Sequence, residues 1–170
     1  MKLRTKEIVI FGMLGALMYA SRILMAVLPN IHLLGTLITA VTIVYRFKAL
    51  FPIYVYVFLE GLFSGFDVWW IPYLYIWTVL WGAVMLLPKN PNRKAAPFLY
   101  AGVSALHGLL FGILYSPVQA LFYGMSFKTT VAWIVSGLPF DAIHCISNLL
   151  CGTLILPLVR LLRMIDKPKL

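Results

Sequence analysis

The sequence predicts an all-α integral membrane protein, a bundle of six transmembrane helices with both the N- and C-termini cytoplasmic. Three observations carry that prediction. Hydrophobic residues fill 62% of the 170 positions and charged residues only 11%, a balance outside the range of water-soluble domains. The apolar residues fall into six stretches, most of them near the ~20 residues that a helix needs to cross the hydrocarbon. The cations sit in short segments between those stretches, in the alternation that membrane topology requires.

Charges, prolines and polar clusters set the boundaries. The first span covers residues 8–28 and ends at Pro29-Asn30; the second, 33–45, is short and begins in the Pro-Asn-Ile-His turn. The third, 49–63, stops at Ser64-Gly65-Phe66-Asp67, the fourth, 70–87, stops at Pro88, and the fifth covers 96–115. Residues 118–137 interrupt their apolar side chains with Gln119, Lys128, Thr129 and Thr130, which predicts an amphipathic or re-entrant stretch at the outer surface. Pro139 suits the first turn of the sixth span, 139–162, because proline there removes only an N–H that has no intrahelical partner. Residues 1–170 read as a single integral membrane domain.

Counting Lys and Arg tests the orientation independently. With the N-terminus inside, Lys2, Arg4, Lys6, Arg46, Lys48, Lys89, Arg93, Lys94, Arg160, Arg163, Lys167 and Lys169 are all cytoplasmic, and only Arg22 and Lys128 fall in the outer half. That asymmetry satisfies the positive-inside rule with an even number of spans. It also explains the formal charge of +9 without nucleic acid, whose footprint would be a basic face on a folded surface. A cleavable secretory signal is the competing reading of the basic start, but the apolar run continues to Leu28 and Met18 fits a cleavage site poorly. Cys145 and Cys151 are six apart in one apolar segment, so they face different ways and have neither disulfide nor zinc-ligand spacing.

Ionisable groups inside a span are costly and call for a partner or a function. Arg22 and Glu60 fall toward the outer ends of their spans, Asp67 in the turn after the third span, Asp141 in the first turn of the sixth, and Asn30 and His32 occupy the outer turn between the first two. A polar cavity opening outward accounts for this clustering, with Arg22 as its counter-charge. Asp141, His144 and Asn148 share one helix face at i, i+3, i+7. They either line a site together, or Asp141 complements the positive end of the helix dipole while His144 and Asn148 bond to neighbouring helices. A metal site from Asp141, His144 and His107 is a third possibility, without the spacing of a known metal motif; no metal and no cofactor is predicted.

Tyr73, Trp77 and Trp81 share a face at i, i+4, i+8 beside Trp69, Trp70 and Tyr75. Trp69 and Trp70 suit an interfacial belt, whereas Trp77 and Trp81 reach deeper, as a stacking wall for a planar ligand or as ordinary packing. Trp81 reads as packing, and Tyr73 or Trp77 as binding. Small residues repeat every four positions at Gly12, Ala16 and Ala20, with a shorter stripe at Gly108 and Gly112; such stripes let another helix approach closely, inside the chain or outside it. The sequence has no G-x-x-x-x-G-K-[ST] phosphate loop, no H-E-x-x-H and no G-x-S-x-G, so neither an ATPase nor an intramembrane hydrolase is predicted.

Over essentially its whole length, the chain resembles the S components of energy-coupling factor (ECF) transporters. The resemblance rests on size, span count, the basic N-terminus, the Pro29-Asn30 turn and the Gly12/Ala16/Ala20 ladder, which is similar to that family's small-xxx-small contact motif although it starts with glycine where alanine is more usual. It implies a bacterial cell-membrane protein whose ladder meets a transmembrane coupling subunit, with two cytoplasmic ATPase subunits driving the ABC-type import cycle and the loaded subunit toppling in the membrane. The expected function is therefore non-enzymatic: capture at the outer face of a water-soluble vitamin or related heterocyclic micronutrient by Asn30, His32, Glu60, Tyr73, Trp77, Asp141, His144, Asn148 and Arg22. The alternatives are a self-sufficient oligomeric channel or secondary transporter, against which the lack of internal inverted repeats argues, and a membrane-embedded enzyme or assembly factor.

Overall fold

The structure is a computed structural model that describes residues 3–28 and 30–166; Lys2, Pro29, Lys167 and Lys169, which entered the expectations above, lie outside them. The described elements are helices: α1 (Thr5–Leu24), α2 (Leu34–Tyr45), α3 (Leu50–Ser64), α4 (Tyr73–Leu86), α5 (Ala96–Leu109), α6 (Phe111–Phe122), α7 (Phe127–Cys151) and α8 (Ile155–Asp166), with 3-10 turns at Arg46–Ala49, Val68–Trp70 and Gly152–Leu154. Five segments are long and apolar enough to cross a membrane: Thr5–Leu24, Leu34–Ser64, Val68–Leu86, Ala96–Phe122 and Phe127–Asp166. Phe98, Leu121, Phe127 and Leu150 are exposed, while Thr36, Thr39, Glu60, Ser104 and Asn148 are buried. With Ile38, Ile76 and Leu80 also in an apolar core, large hydrophobic side chains lie outside as well as inside, a distribution that suits a helical bundle in lipid better than one in water.

Contacts between helix ends fix the direction of each helix. Glu7 early in α1 pairs with Lys48 just before α3, and Arg22 late in α1 pairs with Glu60 late in α3, so these helices run parallel. Tyr45 at the end of α2 meets Phe11 near the start of α1. Trp70 ahead of α4 donates to the Val57 carbonyl and Trp81 late in α4 donates to the Arg46 carbonyl, so α4 runs against α3. Ala101 in α5 packs on Gly152 after α7, while Gly112 in α6 bonds Asp141 in α7. Asp166 closes the circuit beside Arg4. The bundle thus has an Arg4 end and an Arg22 end, between which its helices run.

The second long segment reverses within itself. Arg46 takes φ 52°, a left-handed conformation unfavourable for a residue with a Cβ, and α4 latches it: its carbonyl accepts from Trp81 Nε1 at 3.0 Å and its guanidinium donates to the Met85 carbonyl at 3.1 Å. In lipid, helices associate through close packing and hydrogen bonds rather than through apolar burial. Gly15 illustrates the packing: it faces α3, where a Cβ would fall on the Val55 side chain and 3.0 Å from the Pro52 carbonyl oxygen.

The last third departs from the expected boundaries. Residues 118–137 form no separate surface stretch; they belong to α6, a turn around Gly124, and the first half of α7. Pro117 lies inside α6 and Pro139 inside α7. Pro117 cannot donate to the Ile113 carbonyl, four residues back, and the Ser116 hydroxyl takes that acceptor at 2.9 Å, a repair that lets proline persist in membrane helices. Ser126 precedes α7 as its N-cap, its Oγ accepting from the Thr129 N–H.

Candidate functional site

At the Arg22 end the helices enclose a cavity of about 340 Å³. The end of α1 and its following turn supply Arg22, Met25 and Leu28, the α1–α2 connection supplies Asn30 and His32, and α2 supplies Leu34. Tyr56 comes from α3, Tyr73 and Trp77 from α4, Phe111 from α6 and His144 from α7. Asn30 takes φ 61°, a conformation asparagine tolerates better than most residues, so its presence serves the turn as well as the lining.

The rings form a connected wall. Tyr73 and Trp77, one turn apart on α4, meet edge to face with centroids 5.7 Å apart. Trp77 meets Phe111 at 5.8 Å, Phe111 meets His144 at 5.1 Å, and His144 meets His32 at 5.0 Å. Behind Trp77, His107 bonds the Ile76 carbonyl at 3.0 Å and supports the indole at 5.6 Å. The charge in the wall is Arg22, held 2.8 Å from the Glu60 carboxylate, whose side chain is 0% exposed. Removing either partner would leave an uncompensated charge in a medium that solvates it poorly. Burial, with a smaller push from the Arg22 guanidinium, lowers the His32 imidazole to about 4, so at neutral pH this ring offers one donor and one acceptor.

Three ring nitrogens of the lining residues are buried and have no hydrogen-bond partner among the described residues: His32 Nδ1, His144 Nδ1 and Trp77 Nε1. An unpaired buried polar group costs about 1–3 kcal/mol, but these three atoms are closed off from the cavity space, so a bound molecule meets the faces and edges of the rings that carry them. The site can hold a compact, partly planar, polar molecule between aromatic faces, with the Arg22 guanidinium available to an acceptor. Among the described residues no three His, Cys, Asp or Glu side chains are grouped as metal ligands would be, so Asp141, His144 and His107 do not converge.

Of the residues expected to form the site, Arg22, Asn30, His32, Tyr73, Trp77 and His144 line this one cavity, and Glu60 stands directly behind Arg22. Asp141 and Asn148 lie outside the lining. Asp141 is in the middle of α7, not in its first turn, and its carboxylate accepts from the Gly112 N–H at 3.1 and 3.2 Å. It therefore complements a helix N-terminus, that of α6 rather than its own. Asn148 donates to the Ser104 carbonyl at 3.0 Å and sits against Gly35, where a Cβ would come 2.8 Å from its Oδ1. Both side chains strut α7 to its neighbours. Sequence reasoning missed Tyr56 and Phe111; Tyr56, one turn before Glu60 on α3, was findable as sharing its face, while Phe111 carried no signal.

The three small residues of α1 are elsewhere. Ala16 and Ala20 are exposed and line an apolar groove between α1, α2 and α8, and a Cβ added at Gly12 meets nothing within 4 Å. No protein-family profile, curated protein or solved structure matches the chain significantly.

Proposed function

We propose that the protein is the substrate-specific binding subunit of an ECF-type importer, a non-enzymatic S component. In this reading it captures a water-soluble vitamin or related heterocycle in the cavity at the Arg22 end. The cavity is the observation that supports the reading: aromatic faces, the edges of two imidazole-bearing residues and one fixed cation are the combination that suits a flat molecule with polar edges. The charge count supports the Arg22 end as the outer one, and in this reading the chain crosses a bacterial cell membrane six times. The outward-facing Gly12, Ala16 and Ala20 offer the coupling subunit a surface for close approach, and two ATPase subunits would supply the energy for toppling.

A channel through a single chain finds less support, because Ile38, Ile76 and Leu80 are fully buried in the core. The decisive experiment is to purify the full chain and identify retained small molecules by mass spectrometry, then titrate the identified compound. Trp77→Ala and His144→Ala are expected to weaken binding about tenfold to a hundredfold, while Trp81→Ala, whose indole bonds the Arg46 carbonyl at the far end, binds like wild type. Affinity should stay level from pH 8 to about 5 and fall as pH approaches 4, where His32 gains a proton and loses its acceptor. Wild-type affinity in both folded cavity variants would refute the placement, and failure to co-purify with an ATPase pair from the native membrane would refute the ECF assignment.

A further inference from the structure

The Arg4 end carries two groups of cations in different electrostatic situations. On one side they are engaged: Arg4 lies 3.5 Å from Glu7 and 3.9 Å from Asp166, Lys48 lies 2.5 Å from Glu7, and Lys6 donates to the Ile165 carbonyl at 2.8 Å. On the other side a second cavity, of about 630 Å³, is lined by Lys89, Arg93, Arg160 and Arg163. Lys89 and Arg93 come from the α4–α5 connection, and Arg160 and Arg163 share one face of α8 at i, i+3. None of these four has an acidic partner among the described residues.

Topology alone puts cations at this end but does not bring four of them, from two separate segments, around one cavity. Such a cluster repels itself and concentrates anions. The rest of the lining selects among anions. Ile43 of α2, Ala96 at the start of α5 and Leu156 of α8 form apolar walls beside the cations, so the fitting ligand carries a phosphate group at one end and hydrocarbon at the other.

We propose that this cavity binds the headgroup of an anionic phospholipid, the phosphodiester held by Arg160, Arg163, Lys89 and Arg93 and the acyl chains lying against Ile43 and Leu156. The site is separate from the cavity at the Arg22 end and requires only that the bundle lie in a membrane. A basic pocket between membrane helices is a recurrent way to hold such headgroups, and here the helix walls and the cations belong to the same cavity.

The test uses the full chain in neutral detergent, with phosphatidylglycerol and phosphatidylcholine competing for retention, read by native mass spectrometry. Each cation close to an anionic headgroup contributes about a fivefold factor, so the expected preference for phosphatidylglycerol exceeds a hundredfold. The double variant R160Q/R163Q should lower it about thirtyfold. K89Q/R93Q, in a connection outside the helices, should do the same and serves if the first fails to fold. R4Q, whose cation is already paired, should leave the preference unchanged. Equal retention of the two lipids, double variants like wild type, or an equal loss in R4Q would overturn the site. Inorganic phosphate competing as well as phosphatidylglycerol would overturn the lipid as its source, and an acidic peptide displacing the lipid stoichiometrically would assign the surface to a protein instead.

Discussion

Two stripes of small residues, Gly12/Ala16/Ala20 on α1 and Gly108/Gly112 across α5 and α6, have the same four-residue spacing and opposite surroundings. The second faces inward. A Cβ on Gly108 would come within 2.9 Å of the His144 carbonyl carbon, and one on Gly112 would stand 2.5 Å from Asp141 Oδ2. The first leaves space open at Gly12 and exposes Ala16 and Ala20 to a groove, while the close contact between α1 and α3 is made by Gly15, on another face of the same helix. Spacing reports where a helix can approach; only the neighbours report whether one has.

The inward stripe should therefore fail on enlargement. In Gly112→Leu the new side chain occupies the position of the Asp141 carboxylate, which must move and lose both hydrogen bonds to the Gly112 N–H. Overpacking costs about 1–3 kcal/mol and the stranded carboxylate a further 1–3 kcal/mol or so. We expect loss of monodisperse protein, or a melting temperature in detergent far below wild type. A variant of wild-type stability would mean that α6 and α7 separate easily, and the contrast between the stripes would collapse.

Asp141→Ala probes the same contact from the other side, with a smaller effect. It removes the acceptors without adding volume, leaving one N–H unpaired at the start of α6, a loss of roughly 1–3 kcal/mol. Ligand affinity of the folded variant should match wild type, because Asp141 does not line the cavity. A tenfold fall in affinity at unchanged stability would instead return Asp141 to the binding site.

Much of this was legible in the sequence because lipid makes polar residues informative. Arg22, Asn30 and His32 could be grouped by depth, since each polar group in an apolar run needs a reason to be there, while Tyr73 and Trp77 were found by their shared aromatic face and His144 by its polar one. The limits of α2, α3 and α4 were equally readable from charges, the Ser64-Gly65-Phe66-Asp67 run and Pro88. What could not be read was the identity of a partner. Asp141 and Asn148 share a face with His144, yet that face runs along α5 and α6, and only His144 stands where the helices part into a cavity. Pro117 and Pro139 suggested boundaries because proline usually marks them, but both lie within helices, at Pro117 because Ser116 supplies the missing bond. The reversal between α2 and α3 was marked by Arg46 and Lys48, but the left-handed backbone at Arg46 is held by Trp81 and Met85, thirty-five and thirty-nine residues away, beyond any local signal.

The outward stripe gives the mildest stability change and the sharpest functional one. Ala16→Leu adds apolar volume to an exposed position beside Leu37, Leu158 and Leu161 in the groove, where nothing has to move. Stability should stay within about 0.5 kcal/mol of wild type, as for most surface changes, and ligand affinity of the isolated chain should be unchanged because the cavity lies at the far end of α1. Uptake by cells that also carry a coupling subunit and its ATPases should nevertheless be abolished, since a leucine here keeps a second helix from approaching as closely as Gly12, Ala16 and Ala20 allow. Melting temperature, ligand titration and uptake separate the possibilities. A large fall in melting temperature would show that α1 packs this face internally after all, and full uptake by cells carrying the Ala16→Leu variant would remove the stripe from any coupling interface.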